Sequence, residues 1–107
     1  MWLTSLLPRQ EVSMLRQRLN EALKEAMKTK NARATSTLRL ILAALKDRDI
    51  AGRTGGNREG IGEDDILKLL QSMIKQRRDS IEAFTKGARP ELAQQEQEEI
   101  DIIQTFL

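Results

Sequence analysis

The sequence predicts an all-α protein: a small four-helix bundle whose third and fourth helices form an antiparallel hairpin. Three observations carry that reading. Apolar residues recur at three- and four-residue intervals along four segments, the period of a helix with one buried face. No stretch alternates with the two-residue period of a strand. A glycine-rich stretch and the short KGARP connection separate the later segments, and so short a connection makes its neighbours run in opposite directions. At 107 residues the chain suits one domain with a modest core, and its 39% hydrophobic and 32% charged content is that of a folding chain.

Ser13 is the expected N-cap of the first helix, whose apolar side is Leu15, Leu19, Ala22, Leu23, Ala26 and Met27, with Arg16, Glu21, Lys24 and Lys28 outward. Asn31 ends this helix and caps a second one over Ala32 to Ala51. There Ala34, Leu38, Ile41, Leu42 and Leu45 form a face that Leu40 widens, an arc broad enough to predict cover on more than one side. Gly52 to Gly62 is too rich in glycine to continue the helix and is expected to be a mobile surface loop. The third helix runs from Glu63 to Lys86, with Glu63, Asp64 and Asp65 placed to complement its dipole and Gly87 as its stop. Pro90 starts the fourth, which carries Leu92, Ile100, Ile103 and Leu107 on one side and Ile102 and Phe106 beside them. Its apolar end, Phe106 and Leu107, is expected to dock on a neighbour or to continue into further chain.

Two charges fall in apolar stripes. Arg77 sits amid Ile66, Leu70, Met73, Ile81 and Phe84, and Glu96 amid Leu92, Ile100 and Ile103. In a hairpin turning near Ala88, Arg77 lies opposite Ile100, one turn from Glu96. A partly buried structural ion pair between Arg77 and Glu96 is therefore expected, with Glu99 as the alternative partner.

The segments MLRQRLNEALKEAMKTKN, STLRLILAALKDRDIA, MIKQRRDSIEAF and KGARPELAQQEQEEI, in this order and spacing, resemble the N-terminal helical region of the YqeY-like family, the GatB/YqeY group. That family is named for its relation to the tail of the B subunit of the tRNA-dependent amidotransferase, a carbon-nitrogen ligase with glutamine as amido donor. The resemblance covers residues 14–107. It makes residues 1–13 an N-terminal extension, with Met14 as the original initiator, and leaves out the small helical tail domain with which the family continues. What it implies is biology linked to tRNA and to amide transfer.

Chemistry by the chain alone is not expected. There is no cysteine and no histidine, which removes disulfides, thiol nucleophiles and imidazole catalysis. Ser36, Ser72 and Ser80 lack a histidine to activate them and, although a lysine can serve as base, have no signature around them; Glu96 and Glu99 lack the histidines of a di-iron bundle. The glycine stretch follows a helix and lacks the lysine that ends a phosphate-binding loop. No catalytic residue, cofactor, metal or membrane partner is expected, and the opening residues do not form a secretion signal, so the expected address is cytoplasmic.

Charge carries the functional signal. Lys24 to Arg58 holds nine basic residues against three acidic ones, whereas Glu91 to Leu107 holds five acids and no base. Arg33, Arg39, Lys46, Arg48, Arg53 and Arg58 are the candidate RNA-binding residues, clustered along one helix and its exit as phosphate contacts require. Lys46, Arg48 and Arg53, followed across the glycines by Arg58, are expected to form an adaptable basic projection at the glycine stretch. Few aromatics are free for stacking on bases, so structured tRNA bound by shape and charge fits better than single strands. The other expectation is a helical scaffold that docks on a protein through the fourth helix or on a missing tail domain.

Overall fold

The computed structural model describes residues 2–56 and 60–107, with side chains from Met14 onward. Four helices follow in order, α1 (Trp2–Lys28), α2 (Ala32–Thr54), α3 (Glu63–Lys86) and α4 (Pro90–Gln104), and there is no strand among the described residues. Ser13 is therefore inside α1 and is not its N-cap.

Asn31 caps α2 as expected, its side-chain oxygen accepting from the Ala34 N–H at 3.1 Å. The helix then runs through Gly52 to Thr54 instead of stopping at Ala51. One helical glycine costs only about 1 kcal/mol relative to alanine, which a helix already packed on a core can carry. The chain leaves the helix at Gly55 and Gly56, where the second glycine takes φ +95°.

Both tight turns close in the same way. After α1, the Asn31 N–H donates to the Ala26 carbonyl at 2.9 Å and the Lys30 N–H to Met27 at 3.3 Å. After α3, the Arg89 N–H donates to Phe84 at 2.8 Å and the Ala88 N–H to Thr85 at 3.2 Å. Such closures favour glycine in the left-handed slot. Here Lys30 at φ +56° and Ala88 at φ +58° occupy it, while Gly87, the expected stop, sits one residue too early at φ −84°.

The core joins Leu15 and Leu19 of α1, Leu38, Ile41 and Leu45 of α2, the Ile66–Ile74 stretch of α3, and Ile100 and Ile103 of α4. Each such side chain contributes about 1.5–3 kcal/mol when fully buried. The α3–α4 hairpin is the most closely packed pair, followed by α1 on α2, so two antiparallel hairpins stack to form the bundle. Helix α2 packs against α1, α3 and α4, the cover on more than one side that its wide apolar arc predicts, while Leu40 and Ile50 at the edge of that arc are each 50% exposed. Phe106 turns inward and is buried, with the Arg18 guanidinium 5.3 Å above its ring and Arg18 Nη2 donating to the Thr105 carbonyl at 3.0 Å. It packs on its own core, which leaves Leu107 half exposed.

One core residue is a misfit. Thr37 is fully buried and its hydroxyl has no partner among the described residues. The carbonyl one turn earlier, that of Arg33, already accepts from Ser36 Oγ at 3.1 Å. Thr37→Val keeps the shape and removes the orphan, and is expected to raise stability by about 1 kcal/mol. Urea denaturation should show a higher midpoint at unchanged slope; a lower midpoint would mean that the hydroxyl has a use after all.

Candidate nucleic-acid interface

The helical repeat sorts the expected RNA-binding residues. Arg39, Lys46 and Arg53 are seven residues apart, so they form one row along the outer side of α2, spanning about 21 Å at 1.5 Å per residue. All three are exposed, and none forms an ion pair among the described residues. The burial of Leu38, Ile41 and Leu45 on the opposite side orients this row toward solvent.

The other three are elsewhere. Arg48 turns away from the row and lines a cleft between α2 and α3 with Leu40, Asp47, Ser72, Gln76 and Arg77. Arg33 is engaged with α4, its Nε 3.2 Å from Glu98 Oε1 and its Nη1 3.9 Å from Glu99 Oε2. Arg58 lies outside the described residues and Arg48 turns toward α3, so the expected projection of Lys46, Arg48, Arg53 and Arg58 is represented here by Lys46 and Arg53.

Arg33 belongs to a charged junction of three helices. Arg77 Nε donates to Glu99 Oε1 at 2.8 Å and its Nη1 to the Met73 carbonyl at 3.1 Å, while Glu96 Oε2 is 3.9 Å away. The expected ion pair with Glu96 forms at 3.9 Å, and the alternative partner Glu99 makes the closer contact. A hairpin considered alone favours Glu96; Arg33, arriving from α2, adds a second cation beside Glu99. Burial, together with the charge of Glu99, pushes the Glu96 carboxyl above its ordinary value, and Arg77 and Arg33 relieve it in part.

A second junction fixes where α2 ends. Arg16, expected to face outward, grips Asp49 with both guanidinium nitrogens at 2.8 and 2.7 Å, and its Nη2 also donates to the Ile61 carbonyl at 2.9 Å. The Ile61 N–H donates to Asp49 at 2.9 Å, and the Leu15 N–H donates to Glu63 at 3.1 Å. Hydrogen bonding from Arg16, then from the Ile61 amide, holds the Asp49 carboxyl below its ordinary value against the opposing effect of burial. The last turn of α2, with Arg53, is thus tied to α1 and to the start of α3. Nothing in the periodicity announces this junction, because Arg16 and Asp49 lie at the edges of their stripes and are distant in sequence.

The hydroxyls of Ser36, Ser72 and Ser80 each donate to a carbonyl of their own helix, those of Arg33, Leu69 and Gln76. Among the described residues no group of acidic side chains is arranged to hold a metal ion, and no helix is long and apolar enough to cross a membrane. Phe106 is buried and Phe84 partly so, and neither offers a platform for a base.

A family model described as Yqey-like protein matches residues 16–107, nearly all of the helical bundle. The chain belongs to the YqeY-like family. Curated relatives of this YqeY-like chain include proteins named Altered inheritance of mitochondria protein 41, mitochondrial. The one from Candida glabrata is 32% identical over 89 residues, covering 83% of this chain and 47% of the relative. That from Lachancea thermotolerans is 34% identical with 83% and 46% covered, and that from Clavispora lusitaniae 36% identical with 79% and 46% covered. The YqeY-like chain thus spans about half the length of the curated relatives it matches. Their names are mitochondrial, which overturns the cytoplasmic address expected from the opening residues.

Proposed function

We propose that this YqeY-like chain is a non-catalytic binding module for tRNA, linked through its family to the biology of the glutamine-dependent amidotransferase. The observation that supports the reading is the row of Arg39, Lys46 and Arg53, three cations about 10 Å apart that form no ion pair among the described residues, on a helix held rigidly by its other side. Cations so arranged neutralise phosphates and read no bases. Without stacking aromatics, binding is tolerant of sequence and of micromolar affinity or weaker at physiological salt, within the range of non-specific phosphate recognition.

A salt titration of tRNA binding tests the reading. The triple variant Arg39→Gln, Lys46→Gln, Arg53→Gln is expected to reduce the slope of log affinity against log salt by about 2–3. Its melting temperature should stay nearly unchanged, because exposed charges away from the core contribute little. Equal slopes would remove the row from the interface. Absence of binding by the parent at low salt would favour the protein scaffold, for which half-exposed Leu40 beside Leu69 and Met73 in the α2–α3 cleft offers an apolar contact.

A further inference from the structure

We infer that Lys30 is an additional RNA contact, and that the groove between Lys30 and Arg39 at the α1–α2 turn seats a backbone phosphate at one end of the α2 row. The inference rests on the tRNA-binding reading above. It starts from a residue that the fold does not explain. Lys30 occupies, at φ +56°, the left-handed slot that closes α1, where a side chain with a β-carbon is strained and glycine is relaxed. Stability alone therefore argues against lysine here. At the C-terminal end of α1 its ammonium gains only the helix-dipole term of about 0.3–1 kcal/mol, since Lys30 is exposed and forms no ion pair among the described residues. Strain of this kind at a charged residue that the fold barely uses points to a use of the charge outside the fold.

The surroundings indicate which function. An open groove of about 440 Å³ is lined by Met27, Lys30, Ala32, Thr35, Ser36 and Arg39. Its two charged residues are both cations, and no carboxylate lines it. Thr35 Oγ1 and Ser36 Oγ donate to the carbonyls of Asn31 and Arg33, at 2.8 and 3.1 Å, so the donors left for an anion are the ammonium and the guanidinium. Arg39 is also the first member of the Arg39, Lys46, Arg53 row. A phosphodiester between Lys30 and Arg39 is thus continuous with a backbone lying along α2, and the cationic track gains one member.

The structure supplies its own control. Ala88 adopts φ +58° in the equivalent slot of the α3–α4 turn and carries no charge. Lys30→Gly and Ala88→Gly relieve the same strain, so both variants of the full chain are expected to melt a few degrees higher than the parent. In a salt titration with tRNA, Lys30→Gly should lower the slope by about 0.7–0.9, the share of one phosphate contact, whereas Ala88→Gly and Lys30→Arg keep the parental slope. A variant that is more stable yet binds less cannot be explained by damage to the fold. If Lys30→Gly keeps the parental slope while the Arg39, Lys46, Arg53 triple variant loses its share, the row binds RNA and Lys30 does not. If the parent fails to bind tRNA at low salt, both readings fall. A third arm uses inorganic phosphate: amide shifts at Lys30 and Arg39 with phosphate but none with tRNA would reduce the groove to a small-anion site and overturn the inference.

Discussion

Arg77→Met is expected to destabilise the protein by about 2–3 kcal/mol, and much of that loss should return when Glu99→Leu is added to the same chain. Arg77 and Glu99 are 13% and 16% exposed, and their 2.8 Å contact is largely removed from water. Removing one member of a buried pair strands the other charge and costs about 3–5 kcal/mol; replacing both by apolar groups restores a contact of similar volume. The lower figure applies because Arg33, 3.9 Å from Glu99, remains as a partial partner. Urea denaturation of the two single variants and the double variant gives the coupling energy, expected to exceed about 1 kcal/mol. Glu96→Leu in place of Glu99→Leu should couple more weakly, since Glu96 is 3.9 Å from Arg77 and its carboxyl is already pushed upward by burial. Strictly additive losses for Arg77 and Glu99 would show that the pair does not hold the hairpin.

Gly60→Ala is expected to cost about 3 kcal/mol by breaking the junction of Arg16, Asp49 and Ile61. Gly60 has φ +93°, and a β-carbon there would stand 2.6 Å from Arg16 Nη2 and 2.9 Å from Asp49 Oδ1. The left-handed backbone alone costs about 1–2 kcal/mol for a residue with a side chain, and displacing the guanidinium from a carboxylate that is 17% exposed adds the rest. The same junction carries a pH signature. Because Asp49 titrates below its ordinary 3.8 in the folded chain, its contribution is fully present above that value and is lost as pH falls through the depressed one. The stability difference between parent and Asp49→Asn should therefore be constant from neutral pH down to about 4 and shrink below it. A difference independent of pH down to 2, or a Gly60→Ala variant as stable as the parent, would show that the grip is not made in solution.

How much of this was legible follows from what a helical pattern records. Leu19, Leu38, Ile41, Leu45, Ile66 and Ile103 were identifiable as core because each repeats with the period of its own helix, and all are buried. The α3 boundaries and the Asn31 cap were equally readable, since both depend on contacts within a few residues. Met27 and Leu40 match the same periodic template, yet each is 50% exposed. Periodicity identifies a stripe, but how wide a part of it is covered depends on how many other helices arrive. Similarly, the six candidate basic residues were recognisable as a cluster. That Arg39, Lys46 and Arg53 share a row while Arg48 faces α3 follows from the helical repeat once α2 has a fixed buried side.

The chain's own chemistry thus determined the all-α class, the order of four helices, the α3–α4 hairpin, most of the core and the family to which it belongs, because these rest on local spacing and composition. Tertiary structure alone decided the partners of the charges: Arg16 with Asp49 and Ile61, Arg77 more closely with Glu99 than with Glu96, and Arg33 withdrawn from the candidate interface into the α2–α4 contact. An ion pair depends on the distance between side chains far apart in sequence, as for Arg33 and Glu98, 65 residues apart. That distance is set by how hydrophobic faces pack, an interaction without direction that places helices before their polar edges find one another.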